Sequence, residues 1–251
     1  MAEYLIQDST LDAIADAINA KTGGSSAMTP AEMVTAIGSI QTGGGGFGFN
    51  PFDYITGTNI FSSARDYPTD NISIHFLYAT GIGNTFQQST CFKDVVLSSE
   101  ENISSINFCF FGSFCERIDI SGLKFGSKVS WSNTFQNCSR LTDLKGVNLA
   151  GASNVSNCFT GCSTLQNLTF KPNTCAISVN LNGSSRLTDE SLVSVANGLV
   201  SGAYTLTLHA TPKARLPSIN GTVTDGTFIE SDSGETTLLD YITTTKGWTV
   251  A

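Results

Sequence analysis

The apolar positions change period twice along the chain. Over residues 9–40 they fall at helical spacing: Leu11, Ile14, Ala15 and Ile18 recur at i, i+3, i+4 and i+7. Ser9 with Asp12 resembles a capping box at the start of this stripe, and Gly23-Gly24 stops it. Thr29-Pro30-Ala31-Glu32 then supplies a cap, a proline in the first turn and a reciprocal glutamate, followed by Met33, Val34, Ile37 and Ile40. The pattern predicts a small α-helical hairpin in residues 1–42, and Gly43-Gly44-Gly45-Gly46 opens a flexible linker over 43–50. Two helices of about ten residues are marginal alone in water. The stripe of Leu11, Ile14, Ile18, Met33 and Ile37 is therefore expected to pack on a sister chain or a larger assembly, the alternative being a helical cap folded back on the rest.

The middle of the chain repeats. Phe111, Phe135 and Phe159 recur at intervals of about 24 residues, as do Cys138 and Cys162, Leu141 and Leu165, and Leu144 and Leu168. Weaker copies start at Phe86, with Ser89, Phe92 and Val95, and at Leu181, with Ser184 and Leu187. The Phe111 copy runs through Phe114 to Ile120 and carries Arg117 where leucine is expected. A unit this short cannot close its own core, so each coil must bury its Phe, Cys and Leu against the next. The reading is a mainly β solenoid with short helices, about five coils over residues 84–187, inside a body spanning 51–251.

Both ends of such a stack need covering. Residues 52–80, with Ile72, Ile74, Phe76 and Tyr78 alternating, read as a first cap built on a half-buried strand. Residues 188–251 read as the second cap. It holds a helix begun by Thr188 or Asp189 and ended near Gly198, a strand over Tyr204–Leu208, and a polar hairpin or loop in 217–235. A short helix at Leu238, Leu239 and Ile242 and an edge strand with Trp248 and Val250 follow.

Composition narrows the chemistry. Charged residues are only 14% of the 251, so the surface must be built from Ser, Thr, Asn and Gly, as in turn-rich β folds. A net charge of −8, with no basic cluster, argues against nucleic acid, and no apolar run approaches a membrane span. The first residues lack a basic, then apolar, signal-peptide pattern, which predicts folding in a reducing cytoplasm. The seven cysteines, an odd number without a Cys-x-x-Cys pair, are expected as free, buried thiols.

No residue set argues strongly for catalysis, and no cofactor or metal is expected. His75 and His209 sit in separate strand-like segments without an adjacent nucleophile and carboxylate. Cys109, Cys115, Cys158 and Cys162 have spacings that zinc would accept, but the repeat explains them as packing positions. Glu100, Glu101, Asp119 and Asp143 are the carboxylates available to a glycosidase, and Asp119 and Asp143 share a repeat register. Trp131, Asn133, Asn154 and Asn157 precede the Phe positions of successive coils. An exposed Trp131 beside asparagine rows would suit a sugar; a core Trp131, like Val155 one period later, is the other reading. The 217–235 segment is a further candidate for recognition.

The Phe-x-x-Cys-x-x-Leu-x-x-Leu coils resemble BspA-like leucine-rich repeats of bacterial and phage surface proteins. The run Leu187–Leu199, then Leu206-Thr-Leu208, then Lys246–Ala251 looks like the C-terminal cap of such proteins in phages of Gram-positive bacteria. The head, Thr10–Ile18 with Thr29–Met33, is similar to a short module at the front of many phage tail proteins. The resemblance implies a leucine-rich-repeat-like body and a non-enzymatic virion protein of a tailed bacteriophage, a tail fibre, baseplate component or peripheral adhesin. It would be synthesised in the host cytoplasm, attached to other virion proteins and trimerised through residues 1–42, and would contact a host surface glycan or protein. A decorating subunit without a receptor and a surface-polysaccharide depolymerase stand as alternatives.

Overall fold

The computed structural model describes residues 60–65, 70–76 and 79–251, which belong to a unit spanning Phe52–Ala251. The expected helical hairpin with Leu11, Ile14, Ile18, Met33 and Ile37, the 43–50 linker and Tyr78 lie outside the described residues.

The body is a mainly β solenoid with a few short helices. Its strands are β1 (Asn71–Phe76), β2 (Asp94–Ser105), β3 (Arg117–Ser130), β4 (Asp143–Val147), β5 (Ala152–Asn154) and β6 (Asn167–Phe170). They form one all-parallel sheet in the order β1-β2-β3-β4-β6, with β5 beside the far end of β3. Sequential order in a parallel sheet requires each strand to be reached by a full circuit of chain, which is what a coil is. Ile72, Val95, Ile118, Leu144 and Leu168 occupy one buried row across the sheet. The alternation of apolar and polar residues along each strand fixes this register, because a one-residue slip would turn the row to solvent.

A second side of each coil is made of turns, and here the stacking is carried by phenylalanine. Phe61, Phe86, Phe110, Phe135 and Phe159 form a column with consecutive ring centroids 5.3, 5.0, 5.6 and 5.8 Å apart and nearly parallel planes. Burying each ring contributes roughly 1.5–3 kcal/mol. Leu181 begins the last circuit, so the described residues make about six coils rather than five. The segment expected as a first cap is itself a coil: β1 pairs in parallel with β2, and Phe61 stacks on Phe86.

The column corrects one register. Phe110, not Phe111, occupies the stack, and Phe111 is half-exposed. The third coil is one residue shorter between its small residue, Ser113, and its strand, so Ile118 pairs with Leu144, the buried Cys115 takes the place of Leu141, and Arg117 is exposed beside Asp143.

Two columns of small residues flank the rings. One comprises Ser89, Ser113, Cys138, Cys162 and Ser184; the other, immediately before each ring, comprises Thr85, Cys109, Thr134 and Cys158. All are buried, and most keep a donor employed. The Cys162 thiol donates to the Phe135 carbonyl (3.0 Å), and Thr134 Oγ1 donates to the Trp131 and Ile106 carbonyls (2.8 and 3.0 Å). Thr85, Thr134, Cys138 and Cys162 thus fit a tight corner while satisfying a carbonyl there or one coil earlier, whereas Ser184 Oγ is buried without a partner. The seven cysteines are free thiols, and burial raises those of Cys138 and its neighbours well above the ordinary range.

The last coil is covered by helix α1 (Asp189–Gly198), capped by Thr188, whose side chain accepts from the Ser191 amide. Ser191 Oγ extends the sheet by donating to the Gln166 carbonyl (2.8 Å) and accepting from the Leu168 amide (2.8 Å). A small parallel sheet, β7 (Val179–Leu181), β8 (Thr205–Leu208) and β12 (Thr249–Val250), follows, with β8 in the middle. Trp248 Nε1 donates to the Val200 carbonyl and locks this end. Between them lie helix α2 (Ala210–Arg215) and the hairpin β9 (Asn220–Thr224) and β10 (Thr227–Glu230), which turns at Asp225-Gly226 with both φ angles positive. Its Phe228, next to the turn, is buried against Tyr241, whose hydroxyl donates to the Gly226 carbonyl (2.6 Å) and holds the turn end in place. A short strand, β11 (Thr236–Thr237), pairs antiparallel with β9, and the chain then passes a helical turn, Leu238–Asp240, that widens to a π-turn, Tyr241–Thr245.

Candidate functional site

The turn-built side carries the features that packing alone does not require. In each coil its backbone alternates. The amides of Phe86, Phe110 and Phe135 reach the next coil's carbonyls at Cys109, Thr134 and Cys158 (2.7–2.9 Å), while the intervening amides close tight turns. This path needs left-handed residues two positions before and two after each ring. The positions before are Asn84, Phe108, Asn133 and Asn157; those after are Gln88, Gly112, Asn137 and Gly161. Asparagine and glycine enter that region at little cost, which accounts for most of these residues.

Asn133 and Asn157, proposed from sequence as ligand contacts, are therefore backbone-determined. They also bond each other, Asn157 Nδ2 donating to Asn133 Oδ1 at 3.3 Å, in a ladder along the surface. Asn154 is exposed, but its Oδ1 accepts from the Ser156 amide in a local turn. Trp131 is fully buried, with its ring 4.8 Å from Phe125, in the inner column that holds Ile82 and Ile106 in earlier coils. The reading of an exposed Trp131 stacking on a sugar is thereby corrected: a large side chain fills the wider interior left by the long β3. Its Nε1 is buried without a hydrogen-bond partner.

The other polar candidates are explained locally. Asp119 and Asp143 are not in one row: Asp119 pairs with Lys145, whereas Asp143 pairs with Arg117. Asp119 accepts from the amide and hydroxyl of Ser121, and Asp143 accepts from Asn167 Nδ2 (2.7 Å) and Thr142 Oγ1 (2.7 Å). Glu100 bridges His75 (3.3 Å) and Lys124 (2.9 Å) across three strands, and Lys124 holds its carboxyl below the usual range. His209 caps α2, its Nδ1 accepting from the Thr211 amide. A shallow cavity of about 220 Å3 lies over Ser121, Leu123, Gly146, Asn148, Phe170 and Lys171, at a strand corner. Among the described residues no group of three or more His, Cys, Asp or Glu could hold a metal ion.

One coil departs from the rest. Where the second, fourth and fifth coils present Asn84, Asn133 and Asn157, the third presents Phe108, which adopts the left-handed conformation (φ 53°) that bulky residues avoid. Where they present Gln87, Gln136 and Thr160, it presents Phe111; where they present Thr90, Ser139 and Ser163, it presents Phe114. Phe108 and Phe111 are half-exposed and lie 5.7 Å apart with tilted rings; Phe114 is 37% exposed. The Arg140 guanidinium sits 4.5 Å over the Phe114 ring, a cation–π pair that orients both. Sequence reading placed Phe111 and Phe114 in the repeat core and missed the set; the clue was three aromatic residues at positions polar in every sister coil.

Charge sets this side apart as well. Its segments 82–91, 106–115, 131–141 and 155–165 contain one charged residue, Arg140, and the corresponding segments of the first and last coils, 60–65 and 181–187, contain Arg65 and Arg186. All three arginines are exposed. The carboxylates of the described coils fall instead on or beside the strands, in pairs such as Asp70–Lys93 and Asp94–Arg117, and the remaining described ones lie in residues 189–240. No protein-family model, no curated protein and no solved structure matches this chain.

Proposed function

We propose that this chain is a non-enzymatic adhesive virion protein of a tailed bacteriophage, in which residues 1–42 attach and trimerise the protein and a leucine-rich-repeat-like body contacts the host surface. The phage and tail assignment rests on the sequence resemblance of the head, the coils and the C-terminal segment. The adhesive part rests on one observation: Phe108, Phe111 and Phe114 are exposed or half-exposed together on a rigid, carboxylate-free side. Side chains that neither fill the core nor suit water, on a scaffold whose other coils are polar there, are what a contact surface provides.

The depolymerase alternative is disfavoured because Asp119 and Asp143 are each engaged by neighbouring hydroxyl, amide or amidic groups and lie in different rows. A decorating subunit without a receptor would leave the three phenylalanines without a role. Labelled full-length protein incubated with intact host-range bacteria is expected to be retained on the cell surface. A protein that stays in the supernatant with every strain, while sedimenting with purified virions, would instead be a decorating subunit.

A further inference from the structure

We infer that Phe108, Phe111 and Phe114, with Arg140, form a carbohydrate-binding platform, and that the saccharide carries acidic groups. The inference deepens the adhesive reading and rests on it. Phe108 and Phe111 are half-exposed and in tilted contact at 5.7 Å, and Phe114 is exposed, so the rings stand at the surface of the coil rather than inside it. A pyranose needs no concavity. Its C–H face lies on an aromatic ring, and its equatorial hydroxyls reach side-chain amides at the rim. Those amides are present on both sides: Gln88 on the preceding coil and Asn137 on the following one, both exposed and held by the stacked turns. Gly112, left-handed at φ 62°, adds no side chain between Phe111 and Phe114.

Charge chooses the kind of saccharide. Acidic and basic side chains are nearly balanced among the described residues, but this side has no carboxylate in its turn segments and carries exposed arginines. The Arg140 guanidinium, resting on Phe114, is a planar donor with hydrogens to spare for a carboxylate or phosphate on the sugar.

The test uses the full chain on immobilised polysaccharides, a panel of purified bacterial surface polymers together with polygalacturonate and dextran as acidic and neutral probes. The double variant Phe111→Gln/Phe114→Ser places in this coil the residues that Gln136 and Ser139 occupy in the next. Retention on at least one acidic polymer, weakened roughly ten-fold by the double variant and by Arg140→Gln but kept by Phe111→Tyr, is the expected result. Retention of no polymer, or equal retention of parent and double variant, overturns the inference. If the double variant also binds whole cells as the parent does, the platform is refuted and the adhesive reading stands on another surface. If neither binds cells, both fall.

Discussion

The thiol of Cys138 donates to the main-chain carbonyl of Phe110, 2.9 Å away and one coil earlier. The same carbonyl already accepts from the Ser113 amide, also at 2.9 Å, so each corner joins a local turn to the coil below. This explains why the column accepts serine and cysteine: both are small, and both carry a donor.

Cys138→Ser should therefore be tolerated, with a loss within about 1 kcal/mol, the size of one ordinary hydrogen bond. Cys138→Leu keeps the apolar character but overfills the corner and should cost about 1–3 kcal/mol. Midpoints of denaturant unfolding for the two variants check the order; a leucine variant as stable as the serine variant would show that the corner is loosely packed.

The thiols also set a pH dependence. Burial lifts Cys115 and Cys162 from an ordinary value of 9.0 to about 12, and Cys175 to about 11, because a thiolate in the core loses its hydration. Above pH 9 the unfolded chain releases these protons while the folded chain retains them, so stability is complete below that pH and declines as it rises toward 12. Thermal unfolding followed upward from pH 8 should show this decline, and a Cys115→Ser/Cys162→Ser variant should show a shallower one. With a thiol reagent at pH 8, the partly exposed Cys91 should react first and the six buried thiols only on unfolding.

Gly146 and Gly226 are both left-handed, at φ 80° and 73°, yet only one is crowded. A Cβ on Gly146 would lie 2.3 Å from Ser121 Cα, whereas Gly226 has open space around it. Gly226→Ala should cost only the backbone penalty, on the order of 1 kcal/mol. Gly146→Ala must in addition push apart neighbouring strands and should lose considerably more, seen as a much lower melting temperature.

Phe108→Asn tests the unusual coil. The substitution removes a left-handed penalty of roughly 1–2 kcal/mol and a Phe108–Phe111 contact of roughly 0.5–1.5 kcal/mol, so the melting temperature should barely move. The converse change, Asn133→Phe, gains the penalty and loses the bond to Asn157, and should destabilise. If Phe108→Asn instead lowered stability by several kcal/mol, the ring would be a structural element.

Much of the architecture was legible because it is periodic. Cys138, Cys162, Leu141, Leu144, Leu165 and Leu168 occupy the interior positions that their spacing predicts, and α1, β8 and β12 lie where capping and alternation indicated. The register errors share a cause: coils differ in length by a residue or two at the corners, where a bulge or a shortened turn shifts everything downstream. That displaced Phe110 by one and put Asp119 outside the row of Asp143. The first coil is hidden for a different reason: its strand alternates like the others, but its left-handed turn position holds Ser63, where later coils hold Gln88, Gly112, Asn137 and Gly161. Trp131 was ambiguous because a large aromatic beside polar residues suits both an interior and a binding surface, and periodicity does not report how wide the interior is.

Since equivalent groups recur once per circuit, the number of circuits is a free parameter of this architecture. Excising or duplicating a segment that starts and ends at matching points, for instance between Phe135 and Phe159, leaves every junction chemically familiar. Descendants of such a gene can therefore lengthen or shorten their reach in steps of one layer without inventing new packing, while a single aberrant layer, inserted anywhere, brings its own specificity with it.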